Sequence, residues 1–161
     1  MRKIDVLLKE YGESHQTDFN KKVHYICVPA IFLSLIGLLA CVKFTNIFAI
    51  DAPALVFSFM HLGTLVVILG LFYYLRLSLV MSLGMLIFSI TVLVLIHLIE
   101  QMNIAPLWLV MLVVFVVAWI GQFIGHQHEG KKPSFFKDLQ FLMIGPAWTL
   151  SHLFDHFNIK Y

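Results

Sequence analysis

Four long apolar runs alternate with short polar stretches along the chain. They cover residues 25–42, 53–75, 79–99 and 106–124. A helix needs about 20 predominantly apolar residues to cross the hydrocarbon core of a bilayer. Proline stands near the start of three runs, where a helix tolerates it best, at Pro29, Pro53 and Pro106. The pattern therefore predicts four transmembrane helices.

Two less apolar segments flank the predicted spans. Residues 1–11 mix charged and apolar side chains, and they lack the apolar core and cleavage site of a signal peptide. They predict an amphipathic helix on the membrane surface or over the bundle. Residues 134–157 predict a final helix that Gly145 and Pro146 should break or kink, and we expect it to be interfacial or re-entrant. Residues 1–161 thus form a single all-α membrane domain.

The composition agrees with this prediction. Of the 161 residues, 60% are hydrophobic and only 12% are charged, whereas a soluble domain is about 45–50% apolar and about 25% charged. The mean hydropathy is +0.90. Cys27 and Cys41 form no Cys-x-x-Cys pair, so we interpret them as small buried or lipid-facing residues. The chain is expected to be an integral membrane protein.

The distribution of basic residues predicts the orientation. With four spans, ten of the 11 Lys and Arg residues fall on one side and only Lys43 on the other. By the positive-inside rule the first side is cytoplasmic, and both termini lie there. We expect a multi-pass protein of a bacterial inner membrane, or of the endoplasmic reticulum if the source is eukaryotic.

Candidate chemistry concentrates where the fourth apolar run ends. Gln122, His126 and Glu129 follow at helical spacings of four and three residues and can share one face. A His and a Glu so placed can donate two ligands to one metal, or an acid and a base to one substrate. His128 adds a further candidate metal ligand. The alternative is a polar helix end in which the helix dipole favours His126.

A second group of polar residues precedes the first apolar run. His15 and His24 are nine residues apart, so they can share a site only if the segment breaks between them. Thr17 or Asp18 can cap a helix that starts at this point. Asn20 lies four residues before His24 and would share its face. The alternative is a solvated basic face. The four-span topology brings both histidines to the same cytoplasmic edge as the fourth run.

The other histidines are weaker candidates for a functional site. His152 and His156 have an i, i+4 spacing but lie near a terminus, and we interpret them as a surface pair. His61 and His97 lie in the opposite half of the membrane, where packing against neighbouring helices explains them. The sequence has no Gly-rich phosphate loop, no Gly-x-Ser-x-Gly elbow and no Cys cluster. It also lacks the His-x-x-His-His boxes of membrane hydroxylases and desaturases.

Binding partners follow from the same pattern. The basic residues neighbour the membrane and suit anionic head groups or a substrate carboxylate better than nucleic acid. A transporter is disfavoured, because the polar residues sit at one membrane edge instead of forming a path across the midplane.

Two signatures together resemble those of a known family. They read Ser14-His-Gln-x-x-x-Asn20-Lys-x-x-His24-x-x-Cys-Val-Pro29 and Gln122-Phe-Ile-Gly-His126-x-x-Glu129-Gly-Lys-Lys-Pro133, with a later Gly145-Pro146-x-Trp148. They are similar to those of the small integral-membrane family that includes the yeast endoplasmic-reticulum 2-hydroxy fatty acid dioxygenase of phytosphingosine breakdown. The resemblance spans nearly the whole chain.

The resemblance implies an iron(II)-dependent oxygenase that uses histidines. Such an enzyme converts a 2-hydroxy fatty acid, with O₂, to the acid one carbon shorter. The matching positions are His15, His24 and His126, with Asn20 and Glu129 as further members of the motifs. Neutral imidazoles and a carboxylate suit non-haem iron(II), and Zn²⁺ can occupy the same ligands in purified protein.

We expect the substrate to lie at the membrane edge with its acyl chain between helices. The candidate contacts are lysines that would hold the carboxylate and two amides, namely Lys21, Lys22, Lys131, Lys132, Asn20 and Gln122. The alternative function is a non-catalytic membrane protein that binds a lipid or a metal through the same histidine cluster.

Overall fold

The computed structural model of the chain describes residues 2–44, 53–130 and 142–161, and its regular elements in these ranges are helices. They are α1 (Lys3–Gly12), α2 (Asp18–Ala40), α3 (Ala54–Phe59), α4 (Leu62–Leu75), α5 (Leu79–Met102), α6 (Leu107–Glu129) and α7 (Ile144–His156). One isolated bridge pairs Lys43 with His61. The predicted all-α class is confirmed for the described part of the chain.

Three helices are long and apolar enough to cross a membrane, namely α2, α5 and α6, with 23, 24 and 23 residues. At 1.5 Å per residue each is about 35 Å long, against about 30 Å of hydrocarbon. They coincide with the first, third and fourth predicted spans. The chain is therefore a membrane protein with at least three helices of spanning length and composition.

The second predicted span, residues 53–75, is divided in the structure into two helices, α3 and α4. The helical conformation is interrupted at Met60 and His61, between α3 and α4. The backbone there bonds to the end of the first span, because Phe44 N donates to Met60 O and Leu62 N donates to Val42 O. His61 then caps α4, with its Nδ1 accepting from Thr64 N at 3.2 Å.

The second half of that run is therefore a short helix. With 14 residues, α4 is about 21 Å long, which is less than the hydrocarbon thickness. It packs against α2 and α5. Its length alone does not make it a spanning helix.

The structure places Pro29 and Pro146 at helix positions other than those predicted. Pro29 falls inside α2 because the polar turn from Asp18 extends the helix before the apolar run begins. Pro146 and Gly145 fall in the first turn of α7 and do not interrupt it. The first turn of a helix tolerates proline, because the backbone N–H groups of that turn have no hydrogen-bond partner within the helix. Residues 134–141, where the predicted C-terminal helix begins, lie outside the described residues.

The amphipathic N-terminal helix is α1, and its buried face packs on α7. Ile4, Leu8 and Tyr11 are buried at spacings of four and three residues and join one core with residues of α7. At its start, Arg2 bonds to the side chain of Asp5 at 2.7 Å and holds the pKa of that carboxyl below its usual range. The chain then turns and begins α2 at the predicted cap, where Thr17 accepts from the backbone of the first turn.

The most extensive helix contact joins α2 and α6, and glycine makes it possible. A Cβ at Gly121 would lie 2.6 Å from Cys27 Sγ, and one at Gly125 would overlap Asn20 Oδ1. Both positions require a residue without a side chain. The close approach brings the N-terminal half of α2 alongside the C-terminal half of α6, where the candidate residues lie.

Candidate metal centre

Three buried imidazoles meet where α1, α2 and α6 come together. His15 follows α1, His24 lies in the second turn of α2, and His126 lies in the last turn of α6. They are 3%, 1% and 3% exposed. The ring centroids are 4.2 Å apart for His15 and His24, 5.1 Å for His15 and His126, and 4.8 Å for His24 and His126. We call this cluster the histidine triad.

The triad has the spacing of a metal site. One ring nitrogen from each histidine can be chosen so that all three lie within 4.8 Å of one another. Two nitrogens bonded to one ion at about 2.1 Å lie at most about 4.2 Å apart. The nitrogens of the triad are therefore close to the separation that binding of one shared ion requires.

Hydrogen bonds orient two of the imidazoles for this purpose. His15 Nδ1 lies 2.7 Å from Tyr11 O, and His24 Nδ1 lies 2.9 Å from Asn20 O. A carbonyl oxygen only accepts, so each Nδ1 carries the proton and each Nε2 presents a lone pair. Metal-binding histidines are held in this way in most proteins.

His24 provides the clearest test of whether the site fits a metal. Its Nε2 is buried and has no hydrogen-bond partner among residues 2–44, 53–130 and 142–161. A buried acceptor without a partner is costly, and most such atoms in folded proteins are paired. A metal ion within the triad would give this lone pair its partner, so the residues present fit such an ion.

Aromatic rings hold the triad from one side. Tyr11 stacks on His15 with ring centroids 4.5 Å apart and the planes 7° from parallel. Trp148 of α7 lies 5.1 Å from the same imidazole and is 3% exposed. Neither role was predicted from the sequence. Two features of the sequence could have indicated these roles, namely the position of Tyr11 four residues before His15 and the presence of Trp148 in the Gly145-Pro146-x-Trp148 motif.

A small cavity lies beside the triad, towards the apolar parts of α2 and α6. Its volume is about 20 Å³, and its walls include Tyr11, Val28 and Gln122. Each of these residues is four positions from one histidine of the triad, so the cavity lies one helical turn away. A volume of this size holds one water-sized molecule. The predicted contact residue Gln122 is therefore buried at this cavity.

Glu129 lies three residues beyond His126, but its carboxylate meets other partners. Oε1 accepts from Gln16 N at 2.7 Å. Oε2 accepts from Thr17 N at 3.0 Å, from Thr17 Oγ1 at 2.7 Å and from Asn20 Nδ2 at 3.1 Å. The carboxylate thus binds the N-terminal end of α2. The structure does not bring Glu129 into the group of histidines that could share an ion.

His128 is also separate from the triad. Its side chain is exposed, and its ring packs on Phe19 with centroids 4.8 Å apart. Two residues along a helix turn the side chain by about 200°, so His128 faces away when His126 faces the triad. The structure does not support its predicted part in a metal site.

A comparison with known families identifies the family of the chain. A family model described as "2-hydroxy-palmitic acid dioxygenase Mpo1-like" matches residues 1–157. The chain belongs to the Mpo1-like family. This confirms the predicted family. No curated protein matches the chain, and no solved structure matches it.

Mpo1-like chains are named for an acyl substrate, and this chain has an apolar groove close to the triad. The groove has a volume of about 490 Å³ and runs between α2, α5 and α7. It is lined by Tyr25, Pro29, Phe88, Pro146, Thr149, Leu150, His152, Leu153 and His156. Trp148 contacts residues of both sites, because its ring lies 5.1 Å from that of His15 and 5.7 and 4.3 Å from those of Tyr25 and His152 in the groove wall. The groove is within one side chain of the candidate metal site.

His152 and His156 were predicted to form a surface pair, and the structure places one of them differently. His152 Nδ1 bonds to Trp148 O at 2.9 Å, and its ring lies 4.3 Å from the Trp148 ring. His156 is exposed. Both residues line the groove, His152 as a half-buried side chain and His156 as an exposed one.

The remaining predicted contacts lie around the triad at different depths. Asn20 is fully buried and donates from Nδ2 to Ser14 O at 3.1 Å as well as to Glu129. Lys21 is half-buried and Lys22 is exposed, both in the first turns of α2. The predicted Lys131 and Lys132 lie outside the described residues. Two lysines therefore follow Asn20 at the start of α2.

Proposed function

We propose that this protein is a membrane-embedded non-haem iron(II) dioxygenase that oxidises a 2-hydroxy fatty acid to the acid one carbon shorter. The single observation that carries the proposal is the buried histidine triad, in which bonds from Nδ1 to backbone carbonyls direct the Nε2 lone pairs of His15 and His24. Membership of the Mpo1-like family supports the substrate class.

The triad would hold iron(II) through His15, His24 and His126. Three neutral imidazoles leave coordination positions open, as oxygen-activating iron sites require. Bound iron(II) would supply the one-electron chemistry that reaction with O₂ needs. Zn²⁺ can occupy the same ligands, because it generally binds nitrogen sites more tightly than iron(II) does.

The proposed reaction needs no external reductant. A 2-hydroxy acid and O₂ give the shortened carboxylic acid, CO₂ and water. The bond between the carboxyl carbon and the hydroxylated carbon breaks, and that second carbon is oxidised to the new carboxyl group. The substrate loses four electrons in total, and these reduce both oxygen atoms of O₂. The chain therefore needs to supply only binding, orientation and exclusion of water.

We propose that the acyl chain lies in the apolar groove and the polar head reaches the triad past Trp148. The groove has apolar walls from three helices, which suits a hydrocarbon chain. Lys21 and Lys22, with Lys131 and Lys132, would attract the carboxylate at the membrane edge. The small cavity beside Gln122 has room for one water-sized molecule.

The proposed topology has four spans with both termini on the cytoplasmic side. In it, α3 and α4 together make the second crossing, and α7 is interfacial or re-entrant. The basis is the distribution of 11 Lys and Arg residues, of which ten fall on one side. The triad then lies at the cytoplasmic edge. Cysteine accessibility at positions on the predicted loops tests this arrangement.

The function is tested with detergent-purified chain reconstituted anaerobically with iron(II). We expect O₂ uptake on addition of 2-hydroxypalmitic acid, matched by a 15-carbon acid detected by mass spectrometry. Palmitic acid, which lacks the hydroxyl, should give no uptake. His24→Ala should lose both iron and turnover, while His128→Ala, a change of an exposed histidine, should keep both.

The same experiment distinguishes the alternative function. Iron bound by the triad without O₂ uptake, for 2-hydroxy acids of several chain lengths, would favour a non-catalytic protein that binds a metal or a lipid. Turnover that persists in His24→Ala would contradict the assignment of the triad.

A further inference from the structure

One carboxylate in this structure contacts all three segments that supply the triad. Glu129 is on α6, three residues after His126. Its Oε1 accepts from the backbone N–H of Gln16 at 2.7 Å, and that residue directly follows His15. Its Oε2 accepts from Asn20 Nδ2 at 3.1 Å. The segment before α2, the first turn of α2 and the end of α6 therefore meet at a single side chain.

From these contacts we propose that Glu129 is a positioning residue that assembles the triad and is not itself a metal ligand. The inference rests on the proposed role of the triad as a metal site. It changes the role expected from the sequence, in which Glu129 was a candidate ligand.

The occupancy of the carboxylate argues against ligation. An ionised carboxylate offers about four lone-pair sites. Four donors bind the carboxylate at 2.7–3.1 Å, namely Gln16 N on Oε1 and Thr17 N, Thr17 Oγ1 and Asn20 Nδ2 on Oε2. The carboxylate lies outside the group of histidines that could share an ion, so it would have to move and break several of these bonds to coordinate one. The bonds also favour the charged form of the group, because every partner donates.

The partners of Glu129 lead directly to the imidazoles. Asn20 uses its second side-chain hydrogen on Ser14 O at 3.1 Å, next to His15. The backbone carbonyl of the same Asn20 accepts from His24 Nδ1 at 2.9 Å. Glu129 thus fixes the residue that sets the tautomer and orientation of His24. Residues one step removed from metal ligands commonly act in this way.

The N-terminal end of α2 also attracts the Glu129 carboxylate. The first N–H groups of α2 lack partners within the helix, and the helix dipole places partial positive charge there. Thr17, the cap of α2, donates to Glu129 while its oxygen accepts from Asn20 N at 3.3 Å. A carboxylate from α6 is therefore bound by the start of α2.

The test measures metal binding, so it does not depend on catalytic activity. Full-length protein in detergent is titrated with Co²⁺, and the visible absorption bands report both affinity and ligand set. The variants are Glu129→Ala, Thr17→Ala, the double variant and Thr17→Ser. Glu10→Ala is the matched control, because it removes an exposed carboxylate from α1.

We expect Glu129→Ala to bind Co²⁺ about 10- to 100-fold more weakly, the usual effect of losing a group that orients a ligand. Its absorption bands should keep their wild-type positions, because the ligands are unchanged. Thr17→Ala should show part of the loss, and the double variant should add little to Glu129→Ala. Thr17→Ser and Glu10→Ala should remain close to wild type.

Several results would overturn the inference. Shifted bands in Glu129→Ala would make the carboxylate a ligand, and unchanged affinity would remove it from the site altogether. Fully additive losses in the double variant would show that Thr17 and Glu129 act separately. If Glu129→Ala does not fold, equal affinities of Thr17→Ala and Thr17→Ser would contradict the inference. Failure of the wild-type chain to bind Co²⁺ would instead refute the metal site of the proposed function.

Discussion

Substitution of Gly125 by alanine tests the close approach of α2 and α6 on which the triad depends. Gly125 directly precedes His126. A Cβ at this position would overlap Asn20 Oδ1 and would lie 3.3 Å from Val23 Cγ1. Asn20 is fully buried and is held by bonds to Ser14 and to Glu129, so it has little freedom to move away. Either the helices separate or the Asn20 network breaks.

The expected loss of stability follows from two opposing effects. Alanine gains about 1 kcal/mol over glycine in helix propensity. Inserting a methyl group into a tightly packed contact costs about 1–3 kcal/mol. The net loss is about 1 kcal/mol, which for a chain of this length lowers the unfolding temperature by about 2–4 °C. Affinity for metal should fall as well, because Asn20 O orients His24.

Gly70→Ala is the matched control. A Cβ at Gly70 meets Met143 Cε at 3.0 Å, and a flexible methionine end can shift at little cost. We expect Gly70→Ala to be as stable as the wild type or more stable, with unchanged Co²⁺ affinity. Thermal unfolding in detergent and Co²⁺ titration measure both effects. If Gly125→Ala matched Gly70→Ala in stability and in affinity, the reasoning would be refuted.

Two further substitutions test the cap and the groove. His61→Ala removes the side chain that caps α4 through Thr64 N. We therefore expect the free energy of unfolding to fall by about 1 kcal/mol, as measured by thermal unfolding, and the Co²⁺ affinity to stay as in the wild type. A change in that affinity would contradict the separation of His61 from the triad. Leu153→Trp should fill the groove and raise the KM for 2-hydroxy acids with long chains more than for short ones. Leu83→Trp is its control, because Leu83 is exposed to a similar extent, 53% against 51%, but does not line the groove. Equal effects on long and short substrates would argue against the groove as the chain site.

Local pattern was sufficient for most of the secondary structure. The predicted spans at 25–42, 79–99 and 106–124 correspond to α2, α5 and α6, because long apolar runs admit few other conformations in a membrane protein. The same pattern could not show the break at His61. That break depends on hydrogen bonds between residues 42–44 and 60–62, and the apolar content of the run does not reveal them.

The identity of the triad was also available from the sequence. His15, His24 and His126 stand in the quoted motifs, and the structure brings their rings together. The aromatic rings that pack against these histidines were harder to identify from the sequence. Trp148 reaches His15 only because α7 packs on α1, and this contact joins segments more than 130 residues apart.

The sequence by itself determined the helices of spanning length, the start of α2 at Thr17 or Asp18 and the three histidines, since each is encoded in local periodicity or in short motifs. It placed Glu129 correctly on the face of His126. Only the tertiary structure decided what that carboxylate meets. A Glu three residues from a His can reach a shared ion or the start of another helix, and the spacing is the same in both cases. The position of α2 against α6 gives Glu129 four donors, because two glycines let the helices approach closely at that point.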